Sequence, residues 1–464
     1  MAVTKGNPWH WLGLFLFTLA VIVIVLVYVF TRNQGQSPST EKQLRRVVTF
    51  PWLLLYGLGV TVGAGIYILI GKAGGEAGKH LPWAFIVAAL MIVPTAASYA
   101  ELVARFPVAA GEAEYVQQGF GSNALSSLVG LLVISVAVIA AAAIAQGTAG
   151  YLHQLVPSIS RAAWTVAIVL VLGAVVALGI SPSFGAASVM TIVELVGLLT
   201  VIVAGLIVLK PARLQQSFVS SFPGGNKDVW RQVLWVSMLV FFAFIGFEGM
   251  VSLAEEVQQP EKTLPRAMGW TLLITTVLYV LVAVIAVNVL SRTDLASSDA
   301  PLSLIFHKLT GASPKLLSVL AIVILNGVIA NLILGSRILF GMARRQMAGW
   351  LPAALGQVHP RTSTPIAATA IIVGAVLFLA LIFPLEKLAR TTSWVMLVIY
   401  ILVNAALIAV KSQKDAADAA GAKQPAFSVP IWVPILGILV SAGFLFSGLF
   451  TSPKSQPSPM KPKV

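Results

Sequence analysis

The chain contains no cysteine. That absence excludes a disulfide framework, thiol chemistry and any cysteine-ligated metal site. Charge is scarce as well: Asp, Glu, Lys and Arg make up 10% of the 464 residues, where a soluble domain carries roughly one quarter. Acidic residues are the rarer sign, 16 against 30 Lys and Arg, which leaves a formal net charge of +14 and a pI of about 10.1. A balance this basic can indicate nucleic acid, but the cations are scattered over short loops and tails, which suits anionic lipid headgroups instead. No P-loop is present, which argues against ATP-driven pumping, and no nucleophile and base stand at a spacing that suits an enzyme. The five histidines, His10, His80, His153, His307 and His359, fall in predicted loops or near helix ends without metal-ligand spacing, so no metal and no bound cofactor is expected.

What the chain has in quantity is apolar sequence. Hydrophobic residues account for 58% and the mean hydropathy is +0.93. Runs of about 20 apolar residues recur along the whole length, each long enough to cross a hydrocarbon core about 30 Å thick. The expected fold is an all-α polytopic membrane protein of about twelve spans. The first, Trp9 to Thr31, is too long for a secretory signal and no small-residue cleavage motif follows it. Arg32, Lys42, Arg45 and Arg46 after it, against Lys5 before it, place its N-terminus outside and the polar linker 33–40 inside. Further spans are expected at Val47–Ile70, Pro82–Arg105, Ser122–Tyr151, Ala162–Ile180, Ala187–Leu209, Gln232–Glu255, Leu264–Leu290, Lys315–Gly341, Pro365–Phe383, Thr391–Val410 and Pro430–Phe450. Three regions result: 1–46 (extra helix and linker), 47–411 (core) and 412–464 (loop, accessory helix and tail).

Two spans carry helix breakers at mid-depth, Gly63-Ala64-Gly65 and the stretch Phe242 to Glu248 around Gly246. Unwound backbone survives in hydrocarbon only where it lines a cavity or grips a ligand. Each broken span opens a set of five, the pattern of a five-plus-five inverted repeat in a secondary transporter with its site at the breaks. At the first, Val62, Gly63, Ala64 and Gly65 would form a nest of N–H groups at the positive end of a half-helix, suited to a carboxylate. At the second, carbonyls near Ala243, Ile245 and Gly246 would suit an ammonium group, so the pair reads as a receptor for a zwitterion. The alternative for the glycines is close helix packing.

Intramembrane acids are costly and functional by default. Glu194 has no basic neighbour in its span and is a candidate for proton coupling, or else a hydrogen-bonding group between helices. Glu248 follows the second break and either senses substrate and protons or fixes the unwound geometry by capping freed amides. Glu101 beside Arg105 reads as interfacial and structural. Glu255 and Glu256, with Lys262, Arg266 or the Arg344-Arg345 loop as partners, are candidates for an inner gate of weak ion pairs.

The stretches GLGVTVGAGIYILIG (57–71), SYAELVARFPVAAGEAEYV (98–116), FFAFIGFEGMVSLAEEVQQPEKTLPRAM (241–268) and SRILFGMARRQMAGWLPAALGQVHPRTSTP (336–365) resemble the amino acid, polyamine and organocation transporter superfamily. They are most similar to bacterial amino acid permeases and cationic amino acid transporters. The resemblance implies a leucine-transporter-like core and substrate held by backbone at Ala64 and Gly65 and at Ala243 and Ile245. It also implies an aromatic gate at Phe242, whose alternative is a packing aromatic. In resembling proton-coupled permeases a lysine occupies the position of Glu194, so the glutamate departs from the pattern. The expected activity is secondary active transport of amino acids across a cell membrane, plasma or bacterial inner, driven by a proton gradient or by exchange, with sodium the lesser alternative. The expected partners are a small-molecule amino acid and the bilayer, not nucleic acid. Polyamine transport, or a receptor or subunit role for the same scaffold, is the alternative.

Overall fold

The structure is a computed structural model that describes residues 46, 48–107, 111–178, 184–254, 256–313, 324–344, 352–359, 364–418 and 426–450. The expected helix Trp9 to Thr31, Glu255, Arg345 and the side chains of Ala64 and Arg344 lie outside the described residues. Regular structure among those residues is helical, apart from one isolated bridge between Val48 and Val257. Among the described residues, seven helical runs are long and apolar enough to cross a membrane, and three shorter apolar helices accompany them. This is an all-α, multi-pass membrane protein.

The first run covers Phe50–Arg105, 56 residues. At 1.5 Å per residue it would be about 84 Å long if straight, far beyond one crossing. It is divided at Gly63 and Gly78 into α1 (Phe50–Val62), α2 (Ala64–Ala77) and α3 (Leu81–Arg105). Gly78 turns the chain with φ of +57°, a conformation glycine reaches without strain. Next come α4 (Gly111–Phe120), α5 (Asn123–Leu155), α6 (Arg161–Ala177), α7 (Phe184–Leu209) and the short α8 (Pro211–Ser220). The second half holds α9 (Lys227–Val240), α10 (Pro260–Val289), α11 (Arg292–Ser297), α12 (Pro301–Thr310) and α13 (Leu325–Arg344). It closes with α14 (Ile366–Ile382), α15 (Leu385–Asp418) and α16 (Trp432–Phe450). Helix starts at polar ends are capped by Ser122, Ser160, Asn226 and Ser291, each oxygen satisfying an amide of the first turn. The short helices α4, α8, α11 and α12 were not expected, and His153 and His307, expected in loops, sit in the last turns of α5 and α12.

Helix contacts follow membrane rules, with small residues where backbones approach. A Cβ on Gly147 would meet Ile68, one on Gly173 would meet Val373, and one on Gly205 would meet Ile285. Hydroxyls inside the spans return to carbonyls four residues back, as at Thr148, Thr200, Thr276 and Thr392, so hydrocarbon meets few unpaired groups. The C-terminal end of α2 is tied by three residues. Arg292 donates to the Gly75 and Glu76 carbonyls, Gln232 donates to the Glu76 carbonyl, and Arg390 pairs with the Glu76 carboxylate at 2.7 Å while lying over the Trp235 ring.

Glu101, one turn before the end of α3, is fully buried within the protein. It pairs with Arg105 one turn on and with Lys411 at 2.8 Å, and accepts from Ser428 Oγ at 3.1 Å and the Val429 amide at 2.8 Å. One carboxylate thus joins α3, α15 and the segment leading into α16. Glu101→Ala would leave two cations and an amide without their acceptor, which should cost about 3–5 kcal/mol. Thermal unfolding of the purified variant in detergent checks this: a melting temperature equal to the parent's would show that the cluster does not hold the last helix.

Candidate functional site

The two breaks meet. At the first, a single residue leaves the helix: Gly63, with φ −51° and ψ −118°, separates α1 from α2. The break is narrower than the three-residue unwinding expected from sequence. At the second, α9 tightens into a 3-10 turn over Phe241–Phe244, passes through extended Ile245 and Gly246 at φ +132°, and re-enters a 3-10 helix over Phe247–Leu253. A Cβ on Gly65 would overlap the backbone of Ala243, and one on Gly246 would overlap the Val60 carbonyl. Since position 60 faces 246 and position 65 faces 243, the two broken segments run antiparallel with their backbones in contact. On α1, Gly57 packs against Met250 and Thr271 and Gly59 against Thr191, so these two glycines serve close packing.

Tyrosine hydroxyls from other helices service the exposed carbonyls. Tyr279 Oη of α10 lies 2.8 Å from the Thr61 carbonyl and 2.9 Å from the Ala243 carbonyl, one proton shared between the two breaks. Tyr67 of α2 donates to the Glu194 carbonyl at 2.6 Å, and Tyr151 of α5 donates to the Tyr67 carbonyl at 2.6 Å. The Ala243 oxygen, expected to await an ammonium group, is therefore engaged by Tyr279. Glu194 on α7 is 2% exposed, and its Oε2 has no hydrogen-bond partner among the described residues. A Cβ on Gly63 would stand 3.4 Å from Glu194 Oε1 and 3.8 Å from Oε2, so this carboxyl lies directly on the first break.

Glu248 turns back on the second break. Its two oxygens accept from the Gly246 amide at 2.9 and 3.0 Å, and Tyr400 of α15 stands 3.4 Å from Oε2. The Tyr400 ring packs edge-on against Tyr99 and Phe241. Tyr99 in turn approaches Glu112 of α4 at 3.2 Å, and burial pushes the Glu112 carboxyl above the usual range. Phe242 is 7% exposed at the first 3-10 turn, while Phe241 and Phe244 on either side are wholly buried. The Glu256 carbonyl accepts from the Val48 amide at 2.9 Å and the Val48 carbonyl from the Gln258 amide at 2.9 Å. Glu256 makes no ion pair among the described residues; backbone, rather than paired side chains, joins the chain entering α1 to the chain leaving the second break. Among the described residues no group of three or more His, Asp or Glu is placed to hold a metal ion.

Residues 50–461 match the amino acid permease family. The chain belongs to that family. Its relatives carry different cargoes by name. A branched-chain amino acid permease of Bacillus subtilis (strain 168) is 28% identical over 399 residues, 81% of this chain and 83% of the relative. A mitochondrial cationic amino acid transporter of Arabidopsis thaliana is 30% identical over 80% of this chain, and the match spans only 63% of the plant protein. A methylthioribose transporter of Bacillus subtilis (strain 168) is 28% identical over 89% of this chain and 90% of its own length. The permease is a transporter and not an enzyme.

Sequence reasoning singled out both breaks, Glu194 and Glu248, and the fold brings Val62, Gly63, Gly65, Ala243, Gly246 and Glu194 into one neighbourhood. It missed Tyr279, Tyr67, Tyr151, Tyr400 and Glu112. The available signal was the hydroxyl itself, since a tyrosine in mid-span must find an acceptor. Two changes test the contact of the breaks in the permease. Gly246→Ala adds a Cβ at a positive φ against the Val60 carbonyl and should abolish uptake into vesicles while the protein still reaches the membrane. Tyr279→Phe deprives two buried carbonyls of their donor, which should cost about 1–3 kcal/mol and lower uptake at least tenfold; parental uptake by either variant would separate these contacts from transport.

Proposed function

We propose that this permease is a secondary active transporter of amino acids in a cell membrane, working by alternating access around the paired breaks. The observation that carries the reading is the antiparallel contact of two broken helices, Gly65 on Ala243 and Gly246 on Val60, with α2 opening on amide donors and an acid on each side. That contact favours a five-plus-five inverted repeat over 47–411, with 1–46 and 412–464 as additions. On this reading the substrate carboxylate is held at the N-terminus of α2 by the amides following Gly63. The ammonium group is held by carbonyls about Ala243, Ile245 and Gly246 when the breaks part, and Phe242 closes over it.

Glu194 is the proposed coupling group. A carboxyl on the break with one oxygen unpartnered can carry a proton in one state of the breaks and give it up in another. Glu248 is engaged with Gly246 and holds the second break in shape. Glu194→Gln should bind substrate and support exchange of labelled for unlabelled substrate, because neither needs the proton to leave. Accumulation driven by an imposed pH gradient in proteoliposomes should fall to the level reached without a gradient. If the variant accumulates as the parent does, the coupling belongs to Glu248 or to a sodium ion, the latter told by replacing sodium with choline.

The cargo is the second test. Leucine, arginine, putrescine and methylthioribose span the named and alternative chemistries, and only the first two carry a carboxylate and an ammonium on one carbon. The proposal expects leucine or arginine to stabilise the purified protein, by about 2.7 kcal/mol at 100 times the dissociation constant. Stabilisation by methylthioribose or putrescine alone would overturn the zwitterion assignment.

A further inference from the structure

The connection from α7 to α9 concentrates positive charge where two apolar spans end. Lys210 follows the last residue of α7 and turns the chain at φ +62°. Arg213 lies in the first turn of α8, and Lys227 and Arg231 stand one turn apart at the start of α9. The one acid between positions 210 and 231 is Asp228, and it pairs with Arg231 at 3.1 Å. Lys210, Arg213 and Lys227 are exposed and enter no ion pair among the described residues. Three uncompensated cations therefore flank one short connection.

The same connection keeps apolar side chains on its surface. One face of α8 is committed to the protein: Leu214 is buried, Phe218 stacks on Trp83 of α3 with centroids 5.4 Å apart, and Asn288 of α10 donates to Ser217 at 2.7 Å. A ring nitrogen of His80 lies 2.7 Å from the Ser221 carbonyl, which fixes the connection beside the turn between α2 and α3. Val219 and Phe222 remain outside, 66% and 51% exposed. Phe222 is held edge-on by Trp83 and Trp230, with centroids 4.9 and 6.1 Å away, and Trp230 is itself pinned by donating to the Gly224 carbonyl at 2.8 Å. Aromatic rings with Lys and Arg at the ends of spans are the composition of the membrane–water interface.

Charge and apolar surface together select the occupant. A soluble anion would neutralise the cations and leave Val219 and Phe222 against water. A lipid of zero net charge would cover the apolar pair and leave the cations without a counter-charge. A phospholipid with a net negative headgroup answers both, since long cationic side chains reach the phosphate level while their stems lie along apolar surface. We propose that residues 210–231 form a docking surface for anionic phospholipid, with Lys210, Arg213 and Lys227 on the headgroups and Val219 and Phe222 among the upper acyl carbons. This surface is separate from the paired breaks and does not depend on the cargo.

The absence of native cysteine makes a direct test available. Val219→Cys places one thiol in the surface, and a bimane attached there is followed in phosphatidylcholine nanodiscs that contain a nitroxide-labelled lipid. Each Lys or Arg near an anionic surface is worth about a fivefold preference. Nitroxide-labelled phosphatidylglycerol should therefore reach half-quenching at a mole fraction at least tenfold below that of labelled phosphatidylcholine. At Leu439→Cys on the exposed apolar face of α16, the two lipids should quench alike. The preference at position 219 should disappear when Lys210→Gln, Arg213→Gln and Lys227→Gln are combined, and also in about 0.5 M sodium chloride, which screens exposed charge. The salt arm keeps every native charge, so it decides alone if the triple variant does not reach the membrane. Equal quenching by the two lipids, quenching by neither, or a preference that survives the loss or screening of the cations would overturn the surface. Loss of the preference to inorganic phosphate, at an ionic strength matched with chloride, would assign the cations to a soluble anion and overturn it as well.

Discussion

The contact between the two broken helices constrains the rest of the molecule. Backbone freed from a helix inside hydrocarbon must find partners within the protein, and two breaks placed side by side double the demand. The fold meets it with hydroxyls from neighbouring spans. Tyr279 serves a carbonyl on each segment, Tyr67 and Tyr151 continue the chain of donors toward α7 and α5, and Glu248 takes the Gly246 amide. Small residues make the approach possible, since any side chain at Gly65 or Gly246 would drive the segments apart. Aromatic rings fill the surrounding space, with Phe85, Phe244 and Tyr279 in mutual edge contacts, so that the polar bonds are sheltered from competing water.

Much of this was legible in the sequence, and the reasons differ by element. Hydropathy marked the spans because length and composition decide whether a segment can cross a bilayer, and the glycines at 63, 65 and 246 marked the breaks because no other residue is tolerated there so readily. The partners were not legible. Tyr279 is 218 positions from Thr61 in the chain, and nothing local to either residue announces the other. Glu101 was read only in part for the same reason: its helix-end pair with Arg105 is present, while Lys411 and Val429, which complete its surroundings, come from more than 300 residues away. The short helices α4, α8, α11 and α12 were overlooked because each is too short to give a convincing apolar period.

Polar contacts also decide how the last helix sits. Asn404 on α15 donates to Thr95 of α3 and to the Tyr400 carbonyl, and a Cβ on Gly437 of α16 would run into the same amide. Together with the Glu101 cluster, this fixes α16 against α3 and α15 at two depths. The same Tyr400 stands beside Glu248, so the segment after the second break and the docking of the last helix are linked through one residue of α15.

The anchoring of the C-terminal end of α2 has a mechanical meaning. Arg292, Gln232 and Arg390 reach it from α11, α9 and α15, and all three engage the same residue, Glu76. Bonds that share one anchor do not loosen in sequence, because a displacement large enough to break one strains the others at once. A half-helix held in this way is anchored at that end as a unit and not bond by bond. The single-residue break at Gly63 bounds it on the other side, so displacing α2 as a rigid rod means turning it about Gly63 and releasing all three bonds to Glu76 together.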